Sequence, residues 1–349
     1  MNAQLLNFIV NQFGLNDKNI SFKTISQGYI NDTFLISINN SPNYILQCIN
    51  SSVFKDISGL HNNIEQALKK LNAEDYKAIS LLKTKTGASF YVHENSFWRV
   101  LTFIEDSIAY NFTLNKTIAF EAGRIIARFH SLLKDEAVQN YNITIPNINY
   151  LPFRIKEFKE ALNTASENLT LNATEQIHFA NQHISYFDDF YNAKLPERIC
   201  HNDTKLNNIL FNKDNKGLCL IDLDTIMKGY FHYDFGDAVR TIVSETNEDE
   251  KDLTKIKFNL ALFEQFIDGI NSYGSFLNTT EIEYLPIACA LMSFMNGLRA
   301  LTDYLNGNVF YKVTYENQNL DRCKSLFQFS RLALKNQEPL TSLIQEKLN

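Results

Sequence analysis

The chain has 349 residues, of which 45% are hydrophobic and 21% charged, which is typical of a globular protein with one large domain or two packed lobes. Its formal net charge is −6 and it has no run of Lys and Arg, so neither nucleic acid nor a membrane surface is an expected partner. The longest apolar-rich run, Leu285 to Met295, is shorter than the roughly 20 residues that span a bilayer.

The cysteines and the N-terminus both favour a cytoplasmic protein. The five cysteines are scattered, odd in number and without a CxxC pair, which argues against a disulfide framework and against a zinc site. Residues 1–13 lack the early basic residues and the sustained apolar stretch of a secretory signal, and their apolar residues recur at helical spacing up to Gly14.

The first hundred residues are predicted to form a small lobe of five strands, with one helix inserted after the third strand. Alternation of apolar and polar residues indicates the strands, and an apolar stripe over Asp56 to Leu71 indicates the helix. The predicted strands are Ile20 to Ile25, Thr33 to Ile38, Tyr44 to Ile49, Lys77 to Leu82 and Phe97 to Ile104.

After Asp106 the patterns become helical. Apolar stripes predict helices over 117–133, 150–162, 174–191, 233–245, 251–272, 280–305 and 316–335. Two short apolar segments, Ile209 to Phe211 and Leu218 to Leu223, flank a polar turn and are predicted to form a hairpin. We therefore expect an α+β protein with a β-rich N-terminal lobe, residues 1–105, and a large helical lobe, residues 106–349.

The loop from His201 to Asn208, with the sequence HNDTKLNN, has the pattern H-x-D-x-x-x-x-N of kinase catalytic loops. Asp222 follows Asn208 by fourteen residues, in the place of the metal-binding Asp of kinases. Phosphoryl transfer needs a carboxylate that orients the acceptor hydroxyl and accepts its proton, and we assign that role to Asp203. Mg²⁺ prefers oxygen ligands, which Asn208 and Asp222 would supply, while His201 is expected to brace the loop. The alternative is an ordinary polar turn.

This loop resembles that of the aminoglycoside phosphotransferase/choline kinase superfamily, and stretches along nearly the whole chain resemble bacterial N-acetylhexosamine 1-kinases. The stretches are GYINDTF at 28–34, YILQ at 44–47, IN at 49–50, VFK at 53–55, HNDTK at 201–205, IDLDT at 221–225, YDFGD at 233–237 and LTDYLNG at 301–307. The resemblance implies a protein-kinase-like bilobal fold with ATP in the cleft. It also implies that the anomeric hydroxyl of N-acetylglucosamine or N-acetylgalactosamine accepts the phosphate.

The acceptor contacts are likewise implied by this resemblance. It assigns them to Thr225, Arg299 and Tyr311, and the base Asp203 would touch the sugar as well. Because Arg299 lies on an otherwise apolar helix, it needs an anionic or hydrogen-bonding partner, and a structural ion pair is the alternative.

The nucleotide contacts are expected in the N-terminal lobe. The turn at 28–32 would cover the phosphates, and Asn31, Asp32 or Thr33 would contact a phosphate or the sugar, with Asn31 and Thr33 assigned to the nucleotide. An ordinary hairpin turn is the alternative. Phe103 and Ile104 precede the lobe junction and are expected to line the adenine pocket or to belong to the core.

The strand Tyr44 to Ile49 carries Gln47 where kinases carry a phosphate-pairing Lys. Gln47 is therefore a predicted nucleotide contact that departs from the superfamily pattern. Glu65, on the following helix, is the expected partner of the missing Lys or else a solvated charge, and Lys55 could reach the phosphates instead.

Three further carboxylates accompany the motif. Asp224 lies two residues after Asp222 on the predicted strand, so it would point the same way and either bind the metal or orient its ligands. Asp234 and Asp237 are expected to cap a helix and to pair with Arg240.

Two other functions stay open from the sequence. One is a kinase of the same superfamily that acts on another hydroxyl, such as that of choline, homoserine or an aminoglycoside. The other is a nucleotide-binding pseudokinase, which the departure at Gln47 suggests. The oligomeric state does not follow from the sequence.

Overall fold

The small lobe is built on one antiparallel sheet. In the computed structural model, which describes residues 2–25, 30–274 and 276–348, the strand order is β1-β2-β3-β5-β4. The bounds are Ile20–Ile25 for β1, Asp32–Ile38 for β2, Ser41–Ile49 for β3, Tyr91–His93 for β4 and Ser96–Thr102 for β5. Helix α1, Ala3–Gln12, packs on one face of this sheet, and α2, Ile57–Lys70, follows β3.

The fourth predicted strand is wrong. The segment Lys77 to Leu82 contributes only one isolated bridge, between Leu81 and Leu101, and the fourth strand is the short β4. The Lys77 amide donates to the Leu218 carbonyl of the large lobe, so this segment runs between two sheets instead of pairing along one. The turn before 32 predicted from the sequence lies mostly outside the described residues.

In the described residues, the large lobe is helical around two small antiparallel pairs of strands, one of which is a hairpin. Its elements are α3 (Lys116–Leu133), α4 (Leu151–Thr164), α5 (Glu167–Asn172), α6 (Thr174–His183), α7 (Asp188–Asn192), β6 (Arg198–Cys200), β7 (Ile209–Phe211), β8 (Gly217–Leu220), β9 (Met227–Gly229), α8 (Phe231–Ile242), α9 (Leu260–Asn271), α10 (Thr279–Leu305), α11 (Gln318–Lys335) and α12 (Gln337–Leu348). The α+β architecture expected from the sequence, a small sheet lobe and a large helical lobe, is confirmed.

Several predicted bounds change. The helix expected over 251–272 begins only at Leu260, where the Asn259 side chain accepts a hydrogen bond from the Leu262 amide and caps it. The helix expected over 174–191 is divided by a 3₁₀ turn at Ile184–Phe187. Helices α5 and α12 were not predicted. The connection between the lobes runs from Thr102 to Lys116, and the division at 105/106 stays a prediction.

Helix α10 is the longest element, with 27 residues and a capping box formed by Asn278 and Glu281. By length and hydropathy it is the one helix in the described part of the chain that could cross a membrane. However, 78% of its apolar window is buried inside the fold, as in the core helix of a globular protein.

The hairpin of β7 and β8 is confirmed, but β8 ends at Leu220. Asp222 therefore lies beyond the strand, in the left-handed region at φ +60°, and a 3₁₀ turn at Leu223–Thr225 follows it. Consequently, the expectation that Asp222 and Asp224 point the same way because they share a strand is wrong.

Candidate active site

The catalytic loop begins where β6 ends and is anchored by Asp234 in the first turn of α8. One carboxylate oxygen of Asp234 accepts from the His201 amide at 2.8 Å, and the other accepts from the Asn202 amide at 2.7 Å. His130 on α3 also contacts this carboxylate, at 2.9 Å. Asp234 is fully buried. The helix-capping role expected for it is therefore wrong, because its carboxylate holds the loop.

His201 braces the loop, as predicted. Its Nδ1 accepts from the Asp203 amide at 3.2 Å, which makes Nε2 the nitrogen that donates to the Ile221 carbonyl at 2.8 Å. The His201 ring thus joins the loop to the segment that carries Asp222.

The Asp203 carboxylate is oriented by two neighbours. Lys205 Nζ lies 2.9 Å and Asn208 Nδ2 lies 2.8 Å from the same oxygen, Oδ2. Burial pushes the pKa of Asp203 upward, but the Lys205 ammonium outweighs it and holds the pKa below its usual range. Asp203 is therefore a carboxylate at neutral pH, and its Oδ1, which takes neither contact, is the atom that can accept a hydroxyl proton.

The residues predicted to hold Mg²⁺ fit that ion. Asn208 uses its amide nitrogen toward Asp203, so its amide oxygen can serve as a ligand. Burial, reinforced by the carboxylates of Asp224 and Asp203, raises the pKa of Asp222 to about 6. A divalent cation would relieve this crowding of negative charge.

Asp224 is engaged on both oxygens. Its Oδ1 lies 2.5 Å from Arg99 Nη1, and its Oδ2 accepts from Asn31 Nδ2 at 2.7 Å. Gln47 Oε1 accepts from Arg99 Nε at 2.9 Å, and Gln47 Nε2 donates to Thr33 Oγ1 at 3.3 Å. The structure thus brings together three predicted nucleotide contacts and one predicted metal ligand around Arg99.

The residues at the lobe junction occupy different environments. Ile104 is buried in the main core, whereas Phe103 is half-buried and its amide donates to the Asn43 carbonyl. Their contact with an adenine stays a prediction.

Of the predicted sugar contacts, the structure brings two together. Arg299 and Tyr311 are neighbours, with the guanidinium carbon 6.0 Å from the ring centre, and the guanidinium of Arg322 lies 5.1 Å from the same ring. Thr225 lies beside the catalytic loop. It is buried, and its hydroxyl donates to the His201 carbonyl at 2.7 Å.

A cavity of about 270 Å³ in the large lobe is lined by Lys205, the ion-pair partner of Asp203, and not by Asp203 itself. Lys205 connects it to Asp203, and the cavity is lined by polar and charged residues, among them Asn111, Lys205, Asn207, Arg240, Glu248, Asp249 and Arg322. Arg240 pairs with Asp237, as predicted, at 2.8 Å. A larger cavity, about 880 Å³, opens between α2 and the β7–β8 turn and contains none of the motif residues.

Sequence reasoning missed Arg99, Lys205 and Arg322. Arg99 carried a signal, because it is a charged residue within the otherwise apolar run FWRVL at 97–101. Lys205 lies within the motif itself. Arg322 becomes recognisable only when α11 packs beside the loop that carries Tyr311.

Comparison with known proteins agrees with this geometry. A model described as the phosphotransferase enzyme family, APH, matches residues 21–260, more than half of the chain. Among solved structures, a microcompartment-associated aminopropanol kinase is 13% identical, with a TM-score of 0.65 and coverage of 97% of this chain and 99% of that chain. Spectinomycin phosphotransferase APH(9)-Ia, in complex with ADP and spectinomycin, is 11% identical, with a TM-score of 0.61 and coverage of 96% and 98%.

A third structure, amicoumacin kinase hAmiN in complex with AMP-PNP and Ca²⁺, is 12% identical, with a TM-score of 0.60 and coverage of 95% of this chain and 94% of that chain. Identities this low show a common fold, and the match of the family model goes further. The chain belongs to the APH phosphotransferase enzyme family and has its protein-kinase-like fold, with a small antiparallel-sheet lobe and a large helical lobe.

Proposed function

We propose that this protein is an ATP- and Mg²⁺-dependent cytoplasmic kinase that phosphorylates the anomeric hydroxyl of N-acetylglucosamine or N-acetylgalactosamine. The observation that carries the kinase activity is the convergence of Asp203, Asn208 and Asp222, with Asp203 held ionised by Lys205. Related structures contain ADP or AMP-PNP, which supports ATP as the donor.

The chemistry assigns Asp203 one step. Its Oδ1 accepts a hydrogen bond from the acceptor hydroxyl and takes the proton as the hydroxyl oxygen bonds to the γ-phosphorus. The bond from phosphorus to the bridging oxygen breaks, and ADP leaves with the electron pair. When bound, Mg²⁺ neutralises charge on the phosphates.

The guanidinium groups on the acceptor side support a neutral sugar as the acceptor. Arg299 and Arg322 both lie near the Tyr311 ring, and Arg322 and Lys205 line the cavity of about 270 Å³. Burial and the charge of Arg299 lower the pKa of Arg154, so the guanidinium of Arg154 is a third positive charge near Arg299. The hydroxyl and acetamide oxygens of a sugar can accept hydrogen bonds from these guanidinium groups.

The test is ADP release with a panel of acceptors at saturating Mg-ATP. We expect turnover with N-acetylglucosamine or N-acetylgalactosamine, and a phosphorus NMR signal for an anomeric phosphate ester. The methyl glycoside of the same sugar has its anomeric oxygen blocked and should be inert. Phosphorylation of that glycoside, or of amines alone, would overturn the proposed acceptor.

The second candidate is a kinase for an amino alcohol or an aminoglycoside. Glu248 and Asp249, which line the same cavity, favour it because carboxylates attract ammonium groups. Aminopropanol, ethanolamine, choline, homoserine and spectinomycin belong in the panel for this reason. Mg-ATP binding without turnover on any acceptor would instead indicate a pseudokinase.

A further inference from the structure

The position of Gln47 raises the question of which group replaces the lysine that this strand carries in kinases. Gln47 on β3 pairs in register with Arg99 on β5, so the two side chains lie on the same face of the sheet. The neighbouring residues Leu46, Trp98 and Val100 point to the opposite face and into the small-lobe core. A positively charged side chain, that of Arg99, is therefore present at this place in the sheet, but it comes from β5 and not from β3.

The Arg99 guanidinium bridges the two lobes. Arg99 is 1% exposed. Its Nε donates to Gln47 within the small lobe, and its Nη1 faces Asp224 of the large lobe at 2.5 Å. Asn31 completes the link, because it donates to the second oxygen of Asp224 and accepts from the Asn50 amide at 3.0 Å.

The partner that kinases use for the missing lysine is engaged elsewhere. Glu65 on α2 forms an ion pair with Lys83 at the surface, and its side chain is 31% exposed. Asp224 therefore takes the place of that glutamate. A buried ion pair whose second partner is removed leaves an uncompensated charge, so Arg99 and Asp224 depend on each other.

Fixing Asp224 also fixes Asp222. Only Leu223 separates them, and the 3₁₀ turn at Leu223–Thr225 leaves this segment little freedom. The segment is held on its other side by Asn63 of α2, which donates to the Ile226 carbonyl at 2.9 Å. The small-lobe sheet and α2 thus act on Asp222 indirectly, through their contacts with Asp224 and with the Ile226 carbonyl.

We propose that Arg99, Gln47 and Asp224 form a clamp between the lobes that positions Asp222 for Mg²⁺ and replaces the lysine–glutamate pair of other kinases. Arg99 and Asp224 are positioning residues in this clamp, and Asp224 is not itself a metal ligand. The inference rests on the nucleotide and metal half of the proposed function, and the identity of the acceptor does not affect it.

The test compares ADP binding with and without Mg²⁺, by calorimetry, in Arg99→Met, Asp224→Asn and the double variant. Each single variant should weaken the Mg²⁺-dependent part of ADP binding by roughly 10- to 100-fold, the usual effect of losing a group that orients metal ligands. The double variant should be no weaker than the poorer single variant, because both changes disrupt one unit. ADP binding without Mg²⁺ should change less than about threefold in all three.

Two outcomes would overturn the clamp. If Arg99→Met weakens ADP binding equally without Mg²⁺, Arg99 contacts the phosphates directly. If Asp224→Asn abolishes the Mg²⁺ effect while Arg99→Met leaves it intact, Asp224 is a direct ligand. The double variant leaves no unpaired charge, so it remains informative if a single variant fails to fold.

The surface pair Lys156 and Glu160, with side chains 72% and 65% exposed, offers the matched control. Lys156→Met, Glu160→Gln and their double variant should leave ADP binding unchanged, since exposed pairs of this kind contribute little. Fluorescence from Trp98, the one tryptophan of the chain, reports in every variant whether the small-lobe core is intact.

Discussion

Asp203 is the residue on which the chemistry depends. In Asp203→Asn the acceptor hydroxyl loses its proton acceptor, and the amide cannot replace the charge that Lys205 balances. We expect kcat to fall by roughly 10²- to 10⁴-fold. Steady-state kinetics with the best acceptor would measure this effect, and calorimetry with Mg-ADP should show that the nucleotide still binds.

The control for this substitution is Asp188→Asn, at an exposed position in α7. It should leave kcat unchanged. A loss of less than about tenfold in Asp203→Asn would contradict the assignment of the base.

His232 predicts how stability depends on pH. It is fully buried on α8, and Nε2 contacts the Glu281 carbonyl at 2.8 Å. Burial lowers the pKa of His232 to about 4. Below about pH 6.5 the imidazole is therefore protonated in the unfolded chain but stays neutral in the native state. Its contribution to stability is therefore present above pH 6.5 and is lost as the pH falls toward 4.

Urea unfolding of His232→Gln at pH 7 and pH 5 tests this. Gln can keep a donor for the Glu281 carbonyl but does not titrate. From pH 7 to pH 5, the free energy of unfolding of the variant should therefore fall by about 2 kcal/mol less than that of the parent. His178→Gln, at an exposed position, is the matched control. Equal losses in His232→Gln and the parent would contradict the prediction.

At the residue scale, the sequence predicts what is local. Asp203, Asn208 and Asp222 follow from one motif and one spacing, and the structure places them together. Asp234 contacts the catalytic loop, and Arg99 contacts the turn that carries Asp224, because distant parts of the chain pack together. No periodic sequence pattern indicates such contacts. The predicted side-chain direction of Asp224 is wrong because Asp222 has a left-handed backbone conformation. This conformation ends the strand, in which side chains would have alternated between the two faces.

At the scale of elements, helices α3 and α9 are in close contact at two glycines. A Cβ at Gly123 would lie 2.2 Å from the Phe266 carbonyl oxygen, and one at Gly269 would lie 2.0 Å from the Phe120 carbonyl oxygen. Both obstacles are backbone atoms, so the helices must separate. Gly269→Ala should cost about 1–3 kcal/mol of the free energy of unfolding, although alanine favours helices.

Chemical denaturation of Gly269→Ala measures this cost. Gln182→Ala, at an exposed position of α6, is the comparison, and it should change stability by no more than about 0.5 kcal/mol. A stabilised Gly269→Ala protein would show that the two helices are not in close contact.

Helices and strands were predicted correctly where a periodic apolar pattern extends over many residues. The predictions failed where tertiary contacts determine the backbone conformation. The stripes of α3 and α10 extend over many turns and set their type unambiguously. The segment Lys77 to Leu82 is apolar enough for a strand, but its backbone bonds to both lobes. The true fourth strand, Tyr91–His93, has three residues, too few for an alternation to stand out.

In the described part of the chain, the buried apolar side chains form two separate hydrophobic cores. The small-lobe core contains Ile9, Leu46 and Trp98, whereas the larger core includes α2 and the helical lobe. Ile9→Ala should cost about 2–5 kcal/mol within the small lobe. We expect the unfolding midpoint from Trp98 fluorescence to fall below the midpoint from helical circular dichroism.

Ile344→Ala in α12 makes the same change in the larger core, where Ile344 is also buried. It should lower the circular dichroism midpoint more than the fluorescence midpoint. Identical midpoints from both probes in both variants would mean that the lobes unfold as one unit.

At this scale, the order of the lobes was accessible from the sequence because strand patterns precede helix patterns along the chain. The contacts that join Asp224 to the small lobe were not, since one of them links residues 193 positions apart. Asn31 and Asp224 meet only after the sheet and the helical lobe have packed together.

Helix α10 has a consequence for how the chain is made. While the chain is being synthesised, this helix leaves the ribosome before α11 and α12, which pack against it. Until they arrive, it has the length and apolarity of a bilayer-spanning segment. A chain cut after residue 316 would keep the packing of α10 against α4 and α8 but would expose the face that α11 and α12 cover, and we expect it to bind chaperones. The last two helices therefore shield an apolar surface during biogenesis, besides completing the core.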